Sequence, residues 1–441
     1  MVRFLLAASC LAIVPAAHGA NIFPTSPLIQ LGNDTDIFFD SSVALEINDN
    51  LYSTSSPVSA TSWTVTPGLA LEYGKDSAFA VNLTAKRGFV YFGKASLADL
   101  QDNRDSLSGS VRVDDGGPLS FTLDSSYKIT ARNDDLAQQG AGTTVPLGAN
   151  LLRQSNYTHN FEANYKLTEK IKVTLGYTNT YNHYLNPVKY DETVTDPAPP
   201  TGTGLTGTKT SYNTNGLTEL NTKTIPVEIS YQAFEKLSFG LKYQHDTSDF
   251  SPAPYYSKNT ATATPTLVTT VRPSSSYPRQ LVKDFYGLTA KGDPTGAGLL
   301  NVTAKVGYST SQLDAAASTN NPSFSINLQH TLSEKLNHSL TLSRDISASS
   351  TGGLTNSKSY TYTANFTAAE DLSFNISATK SDVLAGTTAV NTMVYNFGAD
   401  YKYNPHLSFN LGYSFTDSKI PSAPAGNFQA NVLTMSAAFR Y

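Results

Sequence analysis

The fold this sequence predicts is all-β: a single transmembrane, antiparallel, up-and-down β-barrel of about eighteen strands, with sixteen the neighbouring even count. Three observations predict it. Apolar residues recur at every second position along most of the chain. Ile171, Val173, Leu175 and Tyr177, for example, alternate with Lys172, Thr174 and Gly176. That is the period of a strand, and no stretch shows an equally persistent helical one. Short turns of one recurring type join these runs. The composition suits a wall between two solvents. Only 15% of residues are charged and 39% hydrophobic, yet there are 25 Tyr and 21 Phe to bury or to face lipid. In a lipid-embedded barrel half of the strand positions must be apolar and the other half need only be polar.

Taken in order, residues 1 to 19 read as a secretory signal. Arg3 supplies the charge, Phe4 to Val14 the apolar core, and Ala17-His18-Gly19 the small residues before cleavage, with Ala20 as the alternative site. Cys10, the single cysteine, leaves with that signal, so the mature chain has no disulfide or thiolate chemistry. Ala7-Ala8-Ser9-Cys10 faintly matches a lipoprotein box, but too little apolar chain precedes it. After the signal no apolar run reaches the ~20 residues of a membrane helix, so an integral chain must span as strands. Residues 20 to 35 are expected to form a short periplasmic segment and 36 to 441 the barrel. The first strand starts near Asp36, where Val43, Leu45 and Ile47 alternate with Ala44, Glu46 and Asn48.

From there a unit repeats: strand, tight turn, strand, longer connection. Leu167 to Ile171, Ala233 to Leu237, Leu332 to Leu336, Ala368 to Leu372 and Tyr403 to Leu407 are five turns of similar build. Gly74 to Ser77, Asp114 to Pro118 and Gly292 to Gly298 are three more, each with turn-forming residues. Eight hairpins between an opening and a closing strand give the count of eighteen. The strands near Leu107 to Val113 and Val282 to Ala290 have the weakest alternation. Spanning strands are expected to run about 9 to 11 residues. The long connections, 133 to 155, 185 to 222 and 250 to 280, all fall opposite the tight turns and are extracellular if the short turns are periplasmic. Of these, 185 to 222 is the segment expected to fold inward and set a size cutoff.

Rings fall at two levels. Tyr73, Phe79, Tyr165, Tyr231, Phe239, Phe374, Tyr401 and Phe409 lie near the tight turns, and Tyr91, Tyr177, Tyr243, Tyr308, Tyr360 and Tyr413 toward the long connections. Amphipathic rings favour the headgroup level, so these predict two girdles. A large soluble β-sandwich or propeller is the competing fold. It does not explain the signal, the regular hairpin length or the abrupt aromatic end.

The closing stretch carries a resemblance. Leu433, Met435, Ala437, Phe439 and Tyr441 share one face, and the chain stops on the ring of Tyr441. This resembles the C-terminal assembly signal of bacterial outer-membrane barrels. With the hairpin repeats and the Leu-Ser/Thr-Glu-Lys turns, the whole mature chain looks like a member of the porin-like superfamily, most like β-barrel porins associated with exopolysaccharide export. The resemblance implies a bacterial outer-membrane location, with outer-membrane lipid and the barrel assembly machinery as partners. A TonB-dependent transporter would need a folded plug, for which residues 20 to 35 give no room.

The inward face is expected to carry Glu46, Glu72, Lys86, Arg112, Asp124, Lys128, Glu162, Lys166, Lys172, Glu228, Lys242, Asp400, Lys402 and Arg440, with Thr, Asn and Ser between them. Signs are mixed, which suits a modestly selective aqueous path better than an anionic polymer. A net charge of -4 leaves no basic footprint for nucleic acid. Gly202 to Gly207 matches G-x-G-x-x-G but is followed by loop, where a nucleotide motif must open a helix. Four Asn-x-Ser/Thr matches, at Asn82, Asn301, Asn365 and Asn375, follow from two polar residues sharing a wet face. No His has metal-ligand spacing, although His330 and His338 flank one turn. The acid pairs Asp34/Asp36, Asp114/Asp115 and Asp134/Asp135 read as solvated turns. No catalytic, cofactor or metal residue is expected. The function predicted is an outer-membrane channel for passive or gated passage of polar solutes. The alternatives are a polysaccharide-export barrel, a lipid-modifying enzyme and a structural or adhesive barrel. Solute and oligomeric state stay open.

Overall fold

The computed structural model describes residues 27–441 except 33, 52, 54, 76, 95–101, 133–151, 186–187, 196–205, 214–217, 253–255, 262–267, 270–278, 315, 350–352 and 386–387. A short strand, β1 (Ile29–Leu31), precedes β2 (Thr35–Asn48), β3 (Ala60–Tyr73), β4 (Phe79–Phe92), β5 (Asp102–Asp114), β6 (Leu119–Arg132), β7 (Leu152–Lys166) and β8 (Ile171–Tyr184). After β9 (Val188–Thr195) and β10 (Thr206–Asn213) come β11 (Thr218–Phe234) and β12 (Leu237–Pro252), then β13 (Tyr256–Ala261) and β14 (Val268–Thr269). The chain ends with β15 (Gln280–Gly292), β16 (Leu300–Leu313), β17 (Thr319–Ser333), β18 (Leu336–Ser349), β19 (Gly353–Ala369), β20 (Leu372–Ala385), β21 (Thr388–Asn404), β22 (Leu407–Lys419) and β23 (Phe428–Arg440).

Eighteen of these strands form one closed antiparallel ring in chain order, β2 to β8, β11, β12 and β15 to β23. The ring shuts where β2 pairs β23, with Val43 opposite Ala437 and Ile47 opposite Leu433. Tyr441 completes that ladder, donating its N–H to the Phe39 carbonyl at 3.0 Å and accepting from the Phe39 N–H at 2.6 Å. Closure leaves no strand edge unpaired, the condition for a sheet in lipid. β1 pairs antiparallel beside the start of β2, with Ile29 opposite Ile37 and Leu31 opposite Thr35.

The recurring turns have a common physical basis. Thr168 Oγ1 accepts the N–H groups of Lys170 and Ile171. Ser333 Oγ does the same for Lys335 and Leu336, and Asn404 Oδ1 for His406 and Leu407. One oxygen at the second turn position thus satisfies two backbone donors. The same bulge closes four of these turns, pairing Phe234 with Leu237, Ser333 with Leu336, Ala369 with Leu372 and Asn404 with Leu407, whether or not the second position carries an oxygen.

Two expectations change. Barrel strands run from 13 to 17 residues, longer than a bilayer requires, so the wall extends past the membrane on the side of the long connections. Those connections are correspondingly shorter, since β7 begins at Leu152, β11 at Thr218 and β12 ends at Pro252. Within the connection from 185 to 217, β9 and β10 pair with each other, and β10 also pairs β13 of the following connection in a separate four-stranded sheet.

Candidate functional site

Strand alternation gives every barrel strand two faces. One is uniformly apolar and open. Val43, Trp63, Leu69, Leu83, Leu107, Leu175, Ile229, Leu241, Leu288, Val306, Ile376 and Leu411 are all exposed large hydrophobics. Of the fourteen rings named above, thirteen are exposed on this face. Phe374 instead stacks on Phe397 with centroids 6.2 Å apart. The apolar stretch ends on the extracellular side in polar residues, for example His245 and Asp284, joined at 2.8 Å. A closed strand ring with an apolar outer band between two aromatic levels is stable only in lipid.

The alternate positions are polar along most of each strand, and the fourteen charged residues named above occupy such positions. The structure brings four inner-face charges together at the tight-turn end. Lys86 Nζ lies 3.3 Å from Asp40, and Arg440 Nε lies 3.7 Å from the other oxygen of Asp40. Arg440 also pairs with Glu72, and its guanidinium rests over the Phe38 ring, 3.9 Å from the centroid. A cavity of about 390 Å³ opens beside them, reaching Lys402, Glu370 and His406. Asp400 accepts from the side-chain amide of Asn410 at 2.8 Å. Glu162 accepts from Asn164 and Glu228 from the Thr289 hydroxyl, both at 2.9 Å. Arg112 pairs with Asp114 beside a turn. Arg112, Asp124, Lys128, Glu162, Lys166, Lys172 and Lys402 remain exposed. Lys242 and Glu46 are partly exposed, on β12 and β2.

Toward the extracellular end the same face tightens. Val90, Phe285, Val390 and Val394 on it are 2% exposed or less. Here sits a buried charge cluster absent from the sequence-based set. Lys283 Nζ lies 3.0 Å from both Asp246 and Asp345 and 3.1 Å from the Ile346 carbonyl. Its side chain and that of Asp246 are each only 9% exposed. The Lys283 ammonium thus joins β15 to β18, across β16 and β17. Gly287 and Gly307 face each other in the β15–β16 ladder, and the Phe285 ring lies over both. A Cβ on either glycine would run into that ring and into neighbouring backbone. Lys305 Nζ stands 4.2 Å above the same ring.

Other sequence motifs find plain places. His330 and His338 are direct ladder partners on β17 and β18, with ring nitrogens 3.0 Å apart on the outer face. Among the described residues no group of three His, Cys, Asp or Glu is arranged to hold a metal. Gly207 lies on the extended β10, not at a helix start. Asp134, Asp135 and Gly202 to Gly204 are outside the described residues.

The band, closure and polar interior together define an integral outer-membrane β-barrel. A comparison with protein-family models gives no match, and neither does one with curated proteins. Solved structures of similar shape include OccAB3 of Acinetobacter baumannii, at 12% identity and TM-score 0.44, covering 92% of this chain and 100% of that one. The outer membrane protein opdK of Pseudomonas aeruginosa, at 12% and 0.43, covers 92% and 99%. The FrpB iron transporter of Neisseria meningitidis, at 9% and 0.44, covers 93% and 83%.

Proposed function

We propose that the barrel is a passive channel for small polar solutes, entered from the periplasm through a wide charged vestibule and narrowed near the extracellular end. The carrying observation is the inner face itself: Arg112, Lys166, Lys172 and Lys402 near the tight turns stay exposed, while Val90, Phe285, Val390 and Val394 nearer the long connections are 2% exposed or less. Water in the lower half lets solutes enter without desolvation, and the tight upper half sets the cutoff. Mixed charge in the vestibule gives weak ion preference. The residues from Leu433 to Tyr441 that face outward act as the assembly signal, and Arg440 is a vestibule residue held by Asp40 and Glu72.

Purified protein in a planar bilayer should give discrete conductance steps. A folded barrel that inserts yet carries no current overturns this reading. Polymer export with periplasmic partners is the second reading, favoured by the periplasmic end being the open one. Loss of secreted polymer on deletion, with bilayer conductance absent, would select it.

A further inference from the structure

On the outer face of β18 to β20, just extracellular of the tyrosine level, three cations gather. Arg344 and Lys358 are direct ladder partners. Lys380 sits on the next strand, opposite Tyr360. Like charges directly opposite in a ladder destabilise a sheet. Asp382 stands directly opposite Lys358 in the next ladder and reaches Lys380 at 3.6 Å, but among the described residues no ion pair reaches Arg344. Arg344 Nε is moreover buried without a hydrogen-bond partner. Counting Asp382, the patch has a surplus of two positive charges.

Its height matters. Arg344 and Lys358 lie two residues beyond Leu342 and Tyr360, where the upper aromatic level falls on these strands, and Ile346, Asn356, Ala348 and Leu354 follow on the same face. That is roughly 7 Å along a strand, which puts the cations at the headgroup layer of the outer leaflet. A planar guanidinium beside an ammonium suits a phosphomonoester, which accepts charge-assisted hydrogen bonds from both. We propose that Arg344, Lys358 and Lys380 form a binding site for the phosphoryl group of an outer-leaflet glycolipid, which balances the positive charge that Asp382 leaves over. The site lies outside the lumen and is independent of what the channel carries.

The test uses the full-length barrel purified in detergent, with phosphorylated lipopolysaccharide, its dephosphorylated counterpart and inorganic phosphate as separate probes. Native mass spectrometry reads bound lipid and thermal unfolding reads stabilisation. Wild type should retain the phosphorylated lipid, and R344A/K358A should bind it roughly tenfold more weakly. The dephosphorylated lipid should bind both proteins alike. The R344Q variant, which keeps the side-chain volume, guards against misfolding, and unchanged bilayer conductance shows that each variant is folded. Equal affinity of wild type and variants, or equal affinity of the two lipids, overturns the proposal. Inorganic phosphate producing the full stabilisation by itself overturns the lipid assignment.

Discussion

The inner wall has two arcs of different chemistry. From β17 to β20 its residues are almost wholly neutral, and Asp345 is the one charge among Ser, Thr, Asn and Gln on four strands. These groups satisfy one another across the ladder: Asn327 donates to Thr341 at 2.7 Å, Asn365 to Asn337 at 3.0 Å, and Thr361 meets Thr379 at 3.1 Å. From β2 to β8, and again from β11 to β16, nearly every strand brings a charge inward. Between the two aromatic levels the outer faces of both arcs are largely apolar. The difference shows that lipid dictates one side of each strand and leaves the other free, so inward chemistry is where this barrel is specialised. Neutral hydroxyls suit water and uncharged solutes, whereas the charged arc sets the field.

Breaking the junction between the arcs should have the largest effect. Gly307→Val drives a branched side chain into the Tyr286 carbonyl and the Phe285 ring. We expect a loss of about 3 kcal/mol or more and little folded barrel, seen as lost heat-modifiable mobility on gels. Normal mobility would show that the packing of β15 against β16 under Phe285 does not depend on the glycines. Next comes Lys283→Ala, which leaves Asp246 buried without its cation. Removing one partner of a buried pair costs about 3 kcal/mol, and D246N in the same background should recover part of it. If the double variant is no more stable than the single one, the pairing contributes nothing.

Much of this architecture is legible in the residues, for a physical reason. Lipid contact forces strict alternation, so Ile225 to Tyr231 and Leu237 to Tyr243 could mean only strands. Where lipid ends, the signal ends. Lys358, Asn356 and Lys380 continue the outward face into the headgroup layer as polar residues, which is why the strands read as too short. The Lys283 cluster fails for a related reason. On β15 both faces look alike, with Leu281, Lys283 and Phe285 against Val282, Asp284 and Tyr286. Only the neighbouring strands decide between them: Tyr286 is 58% exposed and Phe285 1%. Gly287 and Gly307 are plain in the sequence, but their pairing under Phe285 depends on a register that a sequence alone does not state.

The two arcs can also be exchanged in character. Thr361→Lys places a cation on the neutral wall, where Thr361 now shares a hydrogen bond with Thr379. Reversal potentials under a salt gradient should shift toward anions by roughly twofold in permeability ratio. The same measurement on Lys172→Thr, in the exposed vestibule, should move less, because water screens a charge there. Equal shifts would mean that the arcs share one open lumen of even width.

The smallest effect separates charge in the wall from charge in a turn. Asp293, between β15 and β16, accepts from the Thr295 hydroxyl at 2.6 Å and from the Thr295 N–H at 2.8 Å. The Thr295 hydroxyl foremost, then the backbone N–H groups of Gly298 and Thr295, hold its carboxyl below the usual carboxylate range. A lowered folded-state value means the carboxylate stabilises the turn at any pH above about 3.9, the unfolded value. That contribution fades as pH falls from there through the lowered folded value. Thermal unfolding of wild type should therefore lose a little stability below pH 4 that Asp293→Ala does not lose, the two curves converging in acid. The gap should be slight, since the group is fully exposed and water competes for every bond. Asp246 stands in contrast, its stability set by Lys283 in the wall. A large gap for the turn residue would mean that the hairpin tips, and not the wall, hold this part of the barrel in register.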